Sequence, residues 1–427
     1  MQKIQFLYLL IGTNPLSNYV VADYFLNADL NIREIHFIHS AEDLENGIQS
    51  TALFAENLKS VLGKRFSRVG YFLHPIHIKD SFSIHRDVRK IIADAPKTGV
   101  HLDYSGGTKE MVLHSYETFK EIFGGSVTFS YFDTRRNLLK ADSGSEELID
   151  SVFLGDKAAI GFDDLFALHG YRRVPPEENS GSVFSVSFFE DFLDLIRRPG
   201  NFCAYLEWRE HFYSVYPDFR RVLPADGMRE VSDLLPPEFA ISKELEKTLF
   251  LKIHENMPEY SLLEERDGRL VLRTDVSNKQ MDKLIETRKY ITGRWFEQYV
   301  YAVLRTCLSD IGTAARIDLN LLIQTNKKNF EIDVALIKGY EFCGISCTTD
   351  KTQSLCKSKG FEILRRTKQL AGDNSKAILM TFMNESNTRE LDADLSDILE
   401  DRLLVFGLND LLPAEEFCRK TIDFLSK

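Results

Sequence analysis

The sequence predicts an α/β protein with two strand-and-helix units separated by a mainly helical stretch, and three observations carry this. Over residues 1–150, short apolar runs rich in β-branched and aromatic residues alternate with segments whose apolar residues recur at i, i+3 and i+4. Over residues 151–285 the alternation gives way to helical patterns broken by proline-rich joints. Over residues 286–427 the alternation returns.

In the first unit, KIQFLYLLIG, IREIHFIHS, GYFLHPIHI, GVHLDYS and SVTFSYFD each read as a short buried strand bounded by breakers. Between them ALFAENLKSVLGKRF, IHRDVRKIIADA and KEMVLHSYETFKEIF read as amphipathic helices. Such alternation builds a mostly parallel sheet with helices on both faces. In the middle stretch FEDFLDLIRR, FCAYLEWREHFYSVY and ELEKTLFLKIHENM read as connector helices, and GRLVLRTD as a hairpin arm. The last unit opens with a long helix, KYITGRWFEQYVYAVLRTCL. Strands IDLNLLIQ, FEIDVALIK and EFCGISC follow, then helix CKSKGFEILRRTKQLAG, strand KAILMTF and the closing segment LLVFGLNDLLPAEEF.

Composition narrows the class. With 427 residues, 44% hydrophobic and 27% charged, the chain reads as a multidomain globular protein, and no apolar run is long enough to span a membrane. The apolar N-terminal run ends in GTNP rather than a small-residue cleavage site, so it reads as the first strand and not as a signal peptide. Six scattered cysteines without a framework spacing fit a reducing cytoplasm, and Cys343, Cys347 and Cys356 read as buried thiols. The net charge of −11 argues against a wholly basic nucleic-acid surface. A local basic segment, KTQSLCKSKGFEILRRTKQ, stands out against it.

Ligands of parallel sheets bind at the carboxyl ends of the strands, which directs attention to the loops there. In DYSGGTKEM, Gly106 and Gly107 permit close backbone approach, Thr108 can cap the following helix, and Lys109 can neutralise a phosphate. In IGTNPLSNYVVA, Gly12, Thr13 and Asn14 lie at the first strand's end, Pro15 suits a helix start, and Ser17 and Asn18 project polar groups towards the same crevice. His39 also lies at a strand end within reach of a ligand, whereas His36, His74 and His77 read as packed strand residues. Two small-polar loops suit a ligand with several phosphates.

Together IGTNPLSNYVVA and DYSGGTKEM resemble the CRISPR-associated Rossmann-fold sensor domain, CARF. The resemblance implies a homodimer whose symmetric cleft binds a cyclic oligoadenylate, cyclic tetra-adenylate or hexa-adenylate. It implies contacts from Gly12, Thr13, Asn14, Ser17, Ser105, Gly106, Gly107, Thr108 and Lys109; Arg135 or Arg136 in FDTRRN could join them.

The stretch EIDVALIKGYEFCGISCTTD poses the second question. Metal-assisted phosphodiester cleavage needs clustered carboxylates and a group that stabilises charge. Glu331 and Asp333 alternate along one strand and so share a face; Ser346 and Thr348 do the same on the next. Glu297 falls on a helix able to cover this sheet. The layout looks like the restriction-endonuclease-like PD-(D/E)xK fold found fused to CARF domains. The resemblance implies Asp333 and Glu297 as ligands of Mg²⁺ or Mn²⁺, and a nucleic acid as substrate. Its glutamate and lysine positions fall on Ser346 and Thr348, and threonine carries no positive charge. Asp350, Lys351, Lys357 and Lys359 are near enough in sequence to substitute, although Thr349 and Asp350 also suit a helix cap.

Three readings stand at this point. One is a ligand-activated, metal-dependent nuclease acting on DNA or RNA. Another is a ligand-responsive module that binds nucleic acid or protein without cutting. The third is a sensor that itself opens its ring ligand, with Lys109 and Thr108 stabilising the charge. The R-x-x-x-x-H helix pair of other CARF-linked ribonucleases is missing from the C-terminal half.

Overall fold

In the computed structural model, residues 4–198 and 290–426 are described, apart from 29–30, 46, 143–147, 156, 176–185, 311–314, 326–328, 373–374 and 400–401. A few positions between 254 and 272 are described as well. Five strands pair in parallel: β1 (Phe6–Ile11), β2 (Glu34–Ser40), β3 (Gly70–Ile76), β4 (Val100–Asp103) and β5 (Val127–Asp133). Their spatial order is β3-β2-β1-β4-β5. The chain therefore leaves β1 towards one edge, crosses back, and enters β4 on the other side. That reversal opens a crevice at the carboxyl ends of β1 and β4. All five strands and the helices α2 (Ala52–Arg65) and α4 (Lys109–Phe123) lie where the sequence pattern puts them, α3 (Ser81–Ile92) starts a turn earlier than expected, and α1 (Pro15–Asn27) begins at the proline that suits a helix start. An antiparallel hairpin, β6 (Leu138–Asp142) and β7 (Leu148–Phe153), extends the sheet beyond β5 and was not expected from the sequence.

The middle stretch contributes α5 (Phe162–Leu168), the two-residue β8 (Arg172–Arg173) and α6 (Val186–Arg197), the last matching FEDFLDLIRR. GRLVLRTD supplies β10 (Arg269–Leu272), paired with β9 (Leu263–Arg266). FCAYLEWREHFYSVY lies outside the described residues, and of ELEKTLFLKIHENM only His254 and Glu255 are described.

The second sheet runs β15-β14-β13-β12-β11-β8. Its strands are β11 (Ala315–Gln324), β12 (Phe330–Lys338), β13 (Glu341–Cys347), β14 (Lys376–Met380) and β15 (Leu403–Phe406), with β8 on the β11 edge. β11, β12 and β13 are antiparallel neighbours, and β13, β14 and β15 are parallel. Around them pack α7 (Trp295–Asp310), α8 (Gln353–Ala371), α9 (Glu385–Leu399) and α10 (Ala414–Ser426). The long helix expected from Lys289 begins instead with a π turn over Tyr290–Arg294. α9 escaped the sequence reading because ESNTRELDADLSDIL carries few apolar residues. The cap of α8 is Thr352 rather than Thr349 or Asp350, although Asp350 Oδ1 accepts from the Thr352 N–H at 2.6 Å.

Three buried clusters separate these layers. The α3–α4 face of the first sheet holds one, with Leu102, Phe119 and Phe129. α6, α7 and α10 hold another against the second sheet, around Trp295, Tyr299 and Phe417. The third joins the two halves: Leu16, Tyr19 and Phe37 of the first unit form one cluster with Phe166 of α5, Ile332 and Phe342 of the second sheet, and Leu370 of α8. The cysteines Cys343, Cys347 and Cys356 are buried free thiols, as expected. Cys307 of α7 and Cys418 of α10 are paired as a disulfide, a partnership across 111 residues that no local spacing announces.

Candidate ligand crevice and candidate active site

At the end of β1 the chain turns through Gly12 and Thr13, and Asn14 caps α1 by accepting from the Leu16 N–H at 3.2 Å. The loop after β4 lies directly against this turn. A Cβ on Gly106 would collide with the Leu10 carbonyl and stand 2.8 Å from Asn18 Oδ1; one on Gly12 would stand 3.0 Å from the Gly107 nitrogen. Gly107 has φ +85°, a left-handed conformation that side chains resist. Glycine is therefore required here by backbone-to-backbone approach. Thr13, Thr108 and Lys109 are exposed on the crevice rim, with Thr108 Oγ1 accepting from the Met111 N–H at 3.2 Å to open α4. The crevice thus offers a helix N-terminus, a lysine and small hydroxyls, the groups that hold phosphates.

Other predicted crevice residues have structural duties. Asn18 is fully buried and donates from Nδ2 to the Leu10 carbonyl at 3.0 Å. Ser17 donates to the Asn14 carbonyl at 3.3 Å, and His39, also buried, donates from Nδ1 to the Ser40 carbonyl at 3.1 Å. Ser105 gives its hydroxyl proton to Asp103 Oδ2 at 2.9 Å and takes the Phe132 N–H at 2.8 Å. Ser105 therefore sets the loop's path rather than its face. Arg135 and Arg136 lie exposed in the β5–β6 turn.

Sequence reasoning missed the support beneath this loop. Asp103 is wholly buried and also accepts from Ser130 Oγ at 2.7 Å; Ser130 in turn meets His101 Nε2 at 2.8 Å, and His101 Nδ1 meets Thr128 Oγ1 at 2.7 Å. Burial raises Asp103 to about 6 and lowers His101 to about 3. Polar residues at alternate positions of HLD and TFS were the available signal: period 2 aims them at one face.

The second site forms where β12 parts from β13. Their ladder ends at the Val334–Ile345 pair, and the Asp333 carboxylate fills the place of the next rung. Its Oδ2 accepts from the Cys347 N–H at 2.7 Å and from Ser346 Oγ at 3.2 Å. Across β12 on the other side, Asn320 falls between the Leu319–Val334 and Leu321–Ile332 pairs, opposite Asp333, and takes φ +53°. Both strands change face there. Leu321 and Ile332 belong to the inter-unit cluster, whereas Leu319 and Val334 belong to the α7 side. This kink exposes Asp333 to both α7 and α8.

Glu297 approaches from α7 and Lys359 from α8. Burial raises Glu297 to about 8, with the Asp333 and Glu331 charges adding to the rise and Arg294 and Lys359 opposing it. Burial likewise raises Asp333, opposed by the Cys347 N–H and Lys359. Carboxylates at Glu297, Asp333 and Glu331 close enough for their charges to disfavour one another, with a lysine in range, make a cluster poised to receive a cation. Asn320 Oδ1, on the strand position opposite Asp333, and Gln298 Oε1, next to Glu297 in sequence, are buried oxygens without a hydrogen-bond partner among the described residues. The donor set is all oxygen, as Mg²⁺ or Mn²⁺ prefers.

The remaining candidates sit elsewhere. Thr348 accepts from the Asp350 N–H at 3.3 Å, and Asp350 holds the start of α8. Lys351 is exposed before α8, and Lys357 pairs with Asp394 of α9 at 3.0 Å. Of the four suggested substitutes, Lys359 is the one whose charge acts on both Glu297 and Asp333.

Neither a protein-family model nor any curated protein sequence matches the chain. Solved structures do. Protein VC1899 from Vibrio cholerae aligns over 99% of this chain and 98% of its own, with a TM-score of 0.69 and 15% identity. Can2 from Sulfobacillus thermosulfidooxidans, solved in complex with cyclic tetra-adenylate, aligns over 99% of each chain with a TM-score of 0.62 and 15% identity. Both likenesses show the fold. Among the described residues, no helix is long and apolar enough to cross a membrane.

Proposed function

We propose that the chain is a cyclic-oligoadenylate-activated effector of CRISPR defence, a homodimer in which ligand at the sensor crevice switches on a metal-dependent nuclease in the C-terminal half. The observation that carries the catalytic part is the convergence of Glu297, Asp333 and Lys359 at the β12–β13 fork. Lysine from α8 takes the role for which Thr348 is unsuited. The fold shared with a protein solved in complex with cyclic tetra-adenylate supports the sensing part.

Glu297 and Asp333 would hold Mg²⁺ or Mn²⁺, with Glu331 at the rim; the ion would polarise the phosphodiester and lower the pKa of a bound water. The chain's own residues then divide the work. The Cys347 N–H and Ser346 hydroxyl fix one oxygen of Asp333, leaving Oδ1 for the ion. Lys359 stabilises charge that develops on the phosphate, a preorganised electrostatic contribution. The basic exposed run of α8 and its approach, including Lys351, suits a nucleic-acid backbone as partner.

At the sensor, Thr13, Thr108, Lys109 and the N–H groups opening α4 would meet the ring's phosphates. Gly12, Gly106 and Gly107 let it approach the backbone. The test is cleavage of single- and double-stranded DNA and RNA with Mg²⁺ or Mn²⁺, with and without cyclic tetra- and hexa-adenylate, beside Asp333→Ala. Cleavage that needs ligand and metal and vanishes in the variant supports the proposal. Ligand binding without any cleavage leaves a docking module instead.

A further inference from the structure

On the α3–α4 face of the first sheet, away from both sites, two histidines and a glutamate meet. His85 projects from α3, and His114 and Glu117 from one turn of α4. Their candidate ligand atoms all lie within 4.8 Å of one another. His114 Nδ1 stands 3.1 Å and His85 Nε2 3.5 Å from the same oxygen, Glu117 Oε2.

The hydrogen bonds around the trio decide how it is wired. The Thr118 hydroxyl gives its proton to the His114 carbonyl at 2.6 Å. Its oxygen must therefore accept at the 2.7 Å contact with His85, so His85 carries its proton on Nδ1. That leaves the His85 Nε2 lone pair directed towards a carboxylate oxygen, two electron-rich atoms facing each other with no hydrogen between. A cation there, whether a second ring proton or a metal ion, makes the contact favourable. A ring N–H anchored to a hydroxyl or carbonyl, with the other nitrogen free, is the usual support of a metal-bound histidine.

The spacing favours a metal over a proton. Tetrahedral zinc with bonds of about 2.0–2.1 Å holds neighbouring ligand atoms about 3.3 Å apart. Two of the three separations, 3.1 and 3.5 Å, bracket that value, the third lies within 4.8 Å, and 3.5 Å exceeds a good N–H···O bond. Two imidazole nitrogens and one carboxylate oxygen make a ligand set that zinc accepts. We propose that His85, His114 and Glu117 form a zinc site with one position open to solvent, which staples α3 to α4. Because α4 begins at Lys109, the staple fixes the helix that carries the crevice lysine. This proposal does not depend on the nuclease reading.

The test is titration of the full-length, metal-stripped protein with Zn²⁺ alone, repeated with Co²⁺ to read the visible bands of a tetrahedral ion. Wild type should bind one equivalent more than His85→Ala, and only wild type should give the tetrahedral cobalt bands from this site. Glu117→Gln, a change at a half-exposed position, should lose the same equivalent with its circular dichroism unchanged. Thr118→Val should keep the equivalent but bind about 10- to 100-fold more weakly, as loss of a ligand's supporting hydrogen bond does. Equal stoichiometry and affinity in wild type, His85→Ala and Glu117→Gln would overturn the site.

Discussion

Asn14 lies against Gly372: the crevice loop after β1 touches the residue that ends α8, the helix carrying Lys359. A side chain on Gly372 would run into the Asn14 amide, and His169 Nε2 stands 3.4 Å from Asn14 Oδ1 on the same side. A second bridge lies nearby, where Asn137 Nδ2 donates to Glu341 Oε1 at 2.8 Å and Tyr340 Oη donates to Asn137 Oδ1 at 2.7 Å. The loop after β1 therefore abuts α8, and the β5–β6 turn abuts β13 through Asn137, contacts through which the two halves can be coupled.

Gly372→Ala is expected to break the first of these contacts. With φ +79° and ψ −167° the glycine lies in a region essentially reserved for glycine, so alanine adds about 1–3 kcal/mol of strain, before any displacement of Asn14. The expected outcome is retained cyclic tetra-adenylate binding with a reduced ratio of stimulated to basal cleavage, read by parallel binding and cleavage assays.

Gly106→Ala tests the crevice itself. Gly106 has an ordinary φ, so any cost comes from its collision with the Leu10 carbonyl and Asn18. Opening the two loops should weaken ligand binding by about 100-fold or more, since misplaced contacts of this kind forfeit several kcal/mol. Gly125→Ala, where nothing lies within 4 Å, should leave binding unchanged in the same titration.

Asn320→Ala addresses the kink opposite Asp333. The left-handed conformation at φ +53° costs alanine about 1–2 kcal/mol, and asparagine tolerates it better. Relaxing the kink should turn Asp333 away from Glu297 and lower cleavage at least tenfold, whereas Asn320→Gly should keep the backbone and most of the rate. Single-turnover kinetics under saturating metal separates the two variants.

The pH dependence follows from Glu297. Its folded pKa of about 8 lies above the ordinary 4.5, so the metal-free protein holds the proton at neutral pH. The sign is then fixed: the stability linked to this group is fully present below pH 4.5 and is lost as pH rises through 8. Metal must displace the proton, so Mg²⁺ affinity should rise about tenfold per pH unit below the folded pKa and level off above it. Calorimetry in buffers of different ionisation enthalpy should show about one proton released at neutral pH, and none for Glu297→Gln.

How much of this was legible in the sequence differs from residue to residue. β12 and β13 were read to the residue because two apolar runs flank the Gly339–Tyr340 turn, where Gly339 takes φ +63°. The glycines at 12, 106 and 107 were legible for the same reason, that their duty is local. The β6–β7 hairpin was hidden by the polar stretch between its arms, and α9 by its acidic surface. Tertiary facts were beyond reach: the Asn14–Gly372 contact, the kink at Asn320, and the choice among Asp350, Lys351, Lys357 and Lys359. That choice rests on which turn of α8 faces the β12–β13 fork, and sequence spacing gives only the helix, not its rotation.

The most direct test of the account is the cleavage rate of Lys359→Met beside Lys357→Met, with cyclic tetra-adenylate and Mg²⁺ saturating. Lys359 acts on Glu297 and Asp333, whereas Lys357 pairs with Asp394. The expected result is a loss of about 100-fold or more for Lys359→Met, the scale of one lost transition-state contact, with Lys357→Met close to wild type. Equal rates in wild type and Lys359→Met, or a loss confined to Lys357→Met, would contradict the proposed active site.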